Sequence, residues 1–418
     1  MTAPLSPVQI RRLLARTLTV ALGGGPAPAQ LIDRWANAEA PEDSWVAALT
    51  WDGIGATMGW ALDALELRTV APPEVEGLAA AAYDEAREQC VRLTADLARL
   101  GEAFGKRDIA AIALKGSALA CANVAPALGV RWMNDLDVLV PEARVQDAAW
   151  ALEGLGYTRA AAERPDAAPV FRLYHETFAS PEGRPVEVHW RLGPVRWGEA
   201  ARAEGWFARA STSSIPGIQL PAAADLFWHL LLHDARNHTW SSGSLRAAFD
   251  LALAARAPGF DLRDVLTRLE DDPHAESLLD AVADAAHFSP VLAAEIEPSP
   301  LPRYLRLARW RDAVGRRRWR TDRMAEAVAW GATLDRARRF GGWRGVVERG
   351  IRVIPEAVPG TGIVAGARRA LVTLRHIVFV TLLAAGHVLT IPEPPSQRPK
   401  ALRGAAGPDA GGSRLRPT

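Results

Sequence analysis

The stretch from Leu114 to Val140 limits what this chain of 418 residues can fold into more than any other part of it. An apolar run, Ile109 to Leu114, ends in Lys115-Gly116-Ser117, and Ser117 to Val124 reads as the first turns of a helix. The local unit is therefore a strand, a tight turn and a helix N-terminus. Gly116 lets the backbone approach a ligand closely, and the free N–H groups and positive dipole end of a helix favour a phosphate at such a turn. Asp135 and Asp137 stand two apart just ahead of Val138-Leu139-Val140, with Asp135 18 residues after Ser117. The period of two in a strand puts both carboxylates on one face, where they are poor neighbours without a cation between them.

Downstream, Glu142 to Leu155 reads as a helix that starts after Pro141 and closes at Gly156. Val170 to Ala179 and Arg184 to Trp190 read as strands joined by Ser180-Pro181-Glu182-Gly183, a sequence suited to a type I turn. Such a hairpin brings Glu187 alongside the strand of Asp135 and Asp137. Alternation turns Val186, Val188 and Trp190 to the core, and Glu187 and His189 the other way.

In combination these parts resemble the polymerase-beta-like nucleotidyltransferase superfamily, marked by a Gly-Ser turn, an Asp-x-Asp on the next strand and a third acid on a later strand. Within it the chain is most similar to a family of bacterial nucleotidyltransferases with a Leu-Lys-Gly turn, an Arg-x-x-x-Asp-x-Asp strand and a Glu-x-His-Trp strand. Lys115, Gly116, Ser117, Arg131, Asp135, Asp137 and Glu187 occupy those places, and the likeness spans roughly residues 85–260. It implies an α+β fold, a small mixed sheet with flanking helices, bracketed by helical regions at both ends. It also implies transfer of an NMP group from an NTP to a hydroxyl-bearing acceptor with release of pyrophosphate. Asp135, Asp137 and Glu187 would be the catalytic residues and the ligands of Mg2+ or Mn2+. Gly116 and Ser117 would hold the β and γ phosphates, with Lys115 and Arg131 neutralising them. The acceptor stays open among a small molecule, a peptide, a protein side chain and RNA.

Composition and patterning divide the rest into residues 1–84 (helical), 85–220 (catalytic core), 221–290 (helical), 291–391 (Arg/Trp-rich, helical) and 392–418 (a disordered Pro/Gly/Arg/Ser tail). Val8 to Leu22 and Ser44 to Leu65 have helical spacing, and a long helix from Pro73 carries Cys90, Leu93, Leu97, Leu100 and Phe104 on one stripe. Ala222 to Ala235 and Leu245 to Ala255 are further helices. The first holds His229 and His233 at i, i+4, a metal-capable spacing, but Leu230 to Leu232 between them favour structural histidines. The run from His233 to His238 and Asp250 resemble a helical region of the same family, with no role implied. Residues 303–352 hold fifteen Arg and no Lys against five acids, a local net of +10, with Trp310, Trp319, Trp330 and Trp343 interleaved. Nucleic-acid tracking is one reading of that pattern, and solvated amphipathic helices are the preferred one.

Hydrophobic residues at 49% and charged ones at 23% fit a globular protein rather than wholesale disorder. Two cysteines, Cys90 and Cys121, are too few for a disulfide framework, and with no apolar leader they point to a cytoplasmic protein. The most apolar stretch, Ile377 to Ile391, is short of the roughly 20 residues a membrane span needs, so no span is expected. Two other readings of the acids remain. One is a catalytically silent nucleotide- or partner-binding module of the same fold. The other is a metal-dependent glycosyltransferase, which should open with alternating strands and helices rather than the helices read before residue 105.

Overall fold

The computed structural model describes residues 4–305 apart from 161–173, 194–202, 204, 237–243, 271, 273–274 and 301. Most of the Arg/Trp-rich region, the tail, His238 and the apolar stretch at 377–391 lie outside the described residues. Among the described residues, no helix is long and apolar enough to cross a membrane.

Five helices come first: α1 (Pro7–Leu22), α2 (Ala29–Ala36), α3 (Glu42–Trp51), α4 (Gly55–Ala64) and α5 (Pro73–Gly105). Helix α1 starts at a full capping box, Ser6 and Gln9 each bonding the other's backbone, with Pro7 in the first turn. The Ser44 to Leu65 helix is in fact two. The break falls at Asp52, which turns inward so that its Oδ2 lies 2.7 Å from Arg11 Nε, an ion pair almost wholly out of solvent. Apolar spacing runs across this break, from Trp45, Ala48 and Leu49 in α3 to the largely buried α4, so periodicity alone could not reveal it. Helix α5 buries Cys90, Leu93, Leu97, Leu100 and Phe104 on the expected stripe and leaves Arg87, Glu88, Arg92 and Arg99 exposed. Helix α4 lies unusually close to it. A Cβ on Gly59 would sit 2.2 Å from the Ala79 carbonyl oxygen and 2.7 Å from Tyr83 Cβ. Gly59→Ala should therefore cost about 3 kcal/mol or more by forcing the two helices apart, measurable as a lowered denaturation midpoint.

The sheet follows. Its strands are β1 (Ile112–Ala113), β2 (Leu136–Leu139), β3 (Thr158–Arg159), β4 (His175–Ala179), β5 (Pro185–His189), β6 (Ser211–Thr212) and β7 (Gln219–Leu220). They form one mixed sheet in the order β3-β4-β5-β2-β1-β7-β6. Helices α6 (Lys115–Cys121), α7 (Val145–Gly154) and α8 (Trp206–Arg209) are interspersed, and α7 is entered through a single 3-10 turn at Glu142–Arg144. The β4–β5 hairpin forms as expected, with Ser180 Oγ accepting from Arg184 N across the turn. It lays β5 parallel to β2. Leu136, Val138, Val186, Val188 and Phe178 all face the main core, which also holds the α5 stripe. Trp190 lies just past β5 and is only half-buried. The opposite face carries a small second cluster of Ile112, Leu114, Leu139, Leu192 and Trp206.

The remaining helices are α9 (Ala223–Arg236), α10 (Leu245–Ala254), α11 (Leu262–Glu270), α12 (Ala275–Ala285) and α13 (Pro290–Glu295). They pack through Phe227, Leu231, Phe249, Leu253 and Val282, and continue the same core. Arg303 closes this end. Its guanidinium pairs with Asp284 at 2.6 Å and with Asp234 at 3.3 Å.

Candidate active site

Alternation and register together build the site. Asp137 and Leu139 point to the face opposite the main core, and the parallel pairing sets Asp137 level with Glu187 and Leu139 level with His189. The hairpin adds Thr177 opposite Glu187 and His175 opposite His189. Two rows thus cross three strands on one face: Asp137, Glu187 and Thr177, then Leu139, His189 and His175. Asp135, just before β2, joins Asp137 and Glu187 so that one carboxylate oxygen from each lies within 4.8 Å of the others.

The turn ahead of α6 clamps the middle of this arrangement. Leu114 N donates to Asp137 O at 2.9 Å, and Asp137 N donates to Ser117 Oγ at 3.2 Å. Ser117 is thereby buried and anchors the backbone of the acid it precedes by twenty residues. Gly116 is needed for a close approach, though of a side chain. A Cβ there would lie 2.2 Å from Arg131 Nη1 and 2.9 Å from Met133 Sδ. Arg131 is held in that place by Asp250, which accepts from its Nε at 2.9 Å. Burial opposes the Arg131 charge, and Asp250 more than offsets it, so the guanidinium is charged well beyond its ordinary range. Asp250, which carried no role in the sequence, is the residue that positions Arg131.

Lys115 takes a left-handed backbone conformation, φ +46°, rare for a side chain with a Cβ. Its Nζ lies 2.5 Å from Asp137 Oδ1 and 3.2 Å from Glu187 Oε2. His189 stands on the same two acids: Nε2 is 2.9 Å from Asp137 Oδ1 and 3.2 Å from Glu187 Oε2. The acids are therefore not left to repel one another, because the Lys115 ammonium and the His189 imidazole lie between them. The resulting charges are coupled. Burial opposes protonation of Lys115 and of His189, and their carboxylate partners outweigh it, holding both above their ordinary values. Burial would raise Glu187, but the His189 hydrogen bond and the Lys115 charge hold it well below the carboxylate range. Asp135 is pushed up to about 6, first by burial and then by Asp137. His175, with Nε2 3.8 Å from Glu187 Oε1, is pushed down to about 4 by burial and by the neighbouring His189.

His229 lies close by but apart from these groups. It is buried, its ring 6.0 Å from Trp206 and 6.0 Å from His233, and burial holds it neutral. The donor set at Asp135, Asp137 and Glu187 is all oxygen and negatively charged, which fits a hard divalent ion of the Mg2+ or Mn2+ kind. Lys115 supplies balancing charge, and the His189 ring a hydrogen-bond partner.

Residues 39–290 match the family described as uncharacterised nucleotidyltransferases. The chain belongs to that family. The match extends further than the sequence resemblance, reaching back through α3 and α4 and forward to the start of α13. This nucleotidyltransferase has the mixed α and β architecture expected of it, and helices rather than alternating strands before residue 105. No curated protein matches the chain. Among solved structures, the antibiotic-resistance factor ANT(2'')-Ia aligns at 16% identity with a TM-score of 0.29, covering 43% of this chain and 89% of its own. A likeness of that degree transfers no detail to the nucleotidyltransferase site.

Two site residues had no role assigned from the sequence: His189, the histidine of the Glu-x-His-Trp strand, and His175, which lies outside every motif. Alternation turns His189 to the face of Glu187, but a four-residue turn at 180–183 would set position 175 opposite 188; the observed pairing of Ala179 with Pro185 carries one residue more and brings His175 opposite His189.

Proposed function

We propose that this nucleotidyltransferase moves an NMP group from an NTP to a hydroxyl-bearing acceptor, releasing pyrophosphate, with Asp135, Asp137 and Glu187 as its metal-binding and catalytic residues. The observation that carries the reading is the convergence of those three carboxylates, two of them level on adjacent parallel strands. The residues would hold Mg2+ or Mn2+, which when bound lowers the pKa of an attacking hydroxyl and offsets charge on the triphosphate.

The chain's own groups then have separate tasks. Helix geometry leaves the first N–H groups of α6 without intrahelical partners, so the backbone at Gly116 and Ser117 can donate to the β and γ phosphates. Ser117 Oγ fixes the β2 backbone in register with that turn. Lys115, already against the acids, is placed to follow the phosphates once the carboxylates take up a cation. Arg131 adds fixed positive charge, its orientation set by Asp250. Glu187 orients the acceptor oxygen for in-line attack on the α phosphorus.

The test needs no knowledge of the acceptor. Thermal unfolding of the full chain with Mg2+ and each NTP should rise by several degrees over Mg2+ or NTP alone, since a ligand at a hundred times its Kd stabilises by about 2.7 kcal/mol. Incubation with labelled NTPs then finds the product. A chain whose melting is indifferent to every Mg-NTP pair does not act as proposed.

A further inference from the structure

A second group of donors shares Glu187 and extends from it across the sheet to β4. His175, Glu187 and His189 each offer a ligand atom, all within 4.8 Å of one another. Their positions are fixed by strand pairing rather than by a mobile loop: His175 and His189 are direct partners across β4 and β5, with ring centroids 5.0 Å apart. Glu187 divides its two oxygens. Oε2 faces Lys115 and His189, whereas Oε1 faces His175 at 3.8 Å. His189 is 1% exposed, and the Nδ1 atoms of both histidines are buried without a hydrogen-bond partner among the described residues. The Tyr174 ring closes one side, its centroid 4.6 Å from that of His175 and 5.8 Å from that of His189.

We propose that His175, Glu187 and His189 form a second cation site, which takes first-row transition-metal dications such as Zn2+ or Co2+ in preference to Mg2+. Two imidazoles and one carboxylate are borderline donors that suit zinc, cobalt or nickel, and magnesium gains little from nitrogen ligands. The spacing suits such an ion. Donors held about 2.0–2.1 Å from a tetrahedral zinc lie about 3.4 Å apart, so the 3.8 Å gap between His175 Nε2 and Glu187 Oε1 closes with a small side-chain shift. Glu187, common to both donor groups, and His189, 2.9 Å from Asp137, then link this site to the aspartates. The site is defined without reference to nucleotide transfer and is tested without nucleotide.

The test is a Co2+ titration of the full chain in excess Mg2+, read by visible absorption and by calorimetry. One Co2+ should bind per chain with the absorption of nitrogen-ligated cobalt, and Zn2+ should displace it while further Mg2+ should not. His175→Ala and His175→Gln should each weaken Co2+ by at least about tenfold. Asp135→Asn, whose side chain belongs only to the aspartate group, should hold Co2+ within about threefold of wild type. The proposal is overturned if wild type takes up no Co2+ in excess Mg2+, if Mg2+ competes on equal terms, or if Asp135→Asn abolishes binding that the His175 variants keep. The competition on wild type decides the matter even if a variant folds poorly.

Discussion

Asp137→Asn should lower nucleotidyl transfer by about three orders of magnitude or more, and Glu187→Gln by a comparable factor. Removing a carboxylate that holds a catalytic cation forfeits several kcal/mol of transition-state charge stabilisation, and each 1.36 kcal/mol is about tenfold in rate. Single-turnover transfer from labelled NTP, beside thermal shifts with Mg-NTP, measures both effects. The structure also changes what the substitutions should do to the cation-free chain. Three unpaired acids would relax on losing one charge, but Asp137 is the shared acceptor of Lys115 and His189 and is only 2% exposed. Asp137→Asn should therefore melt lower than wild type without metal, and Glu187→Gln, at 22% exposure, should melt less far below it. Either variant transferring at the wild-type rate would remove these acids from the reaction.

Lys115→Met should destabilise the metal-free chain by about 3 kcal/mol, because taking one partner from a buried ion pair leaves the other charged and unpaired. His189 keeps hold of Asp137, which sets the effect at the low end of that class. The same variant should regain most of its stability in Mg2+, since a divalent ion can supply the charge that the ammonium did. Melting curves in chelator and in Mg2+ separate the two terms. Equal stability of variant and wild type in chelator would mean that Lys115 lends the acids no support.

How much of this was legible in the sequence follows from what each part depends on. The α5 stripe, the β4–β5 hairpin and the alternation of Val186 and Val188 against Glu187 are set by local periodicity and turn chemistry, and were read correctly. The partners of the acids were not. Lys115 reaches Asp137 only through a left-handed backbone that no side-chain pattern announces. Asp250 meets Arg131 from a helix 119 residues away, and spacing says nothing about such a contact. Arg11 likewise meets Asp52 only once α1 packs. Strands of two residues, such as β3, β6 and β7, carry too few positions for alternation to appear at all.

The Lys115 contacts also bear on the order in which the protein is made. Chains leave the ribosome from the N-terminus, so Lys115 emerges before either of its acids. Asp137 follows it by 22 positions, while Glu187 comes 72 positions after the lysine and His189 comes 52 after Asp137. For the interval in which β2 exists and its parallel neighbour does not, the lysine is the only one of the two partners already synthesised. Of the two groups that hold Asp137, Lys115 is thus the one that the chain supplies first.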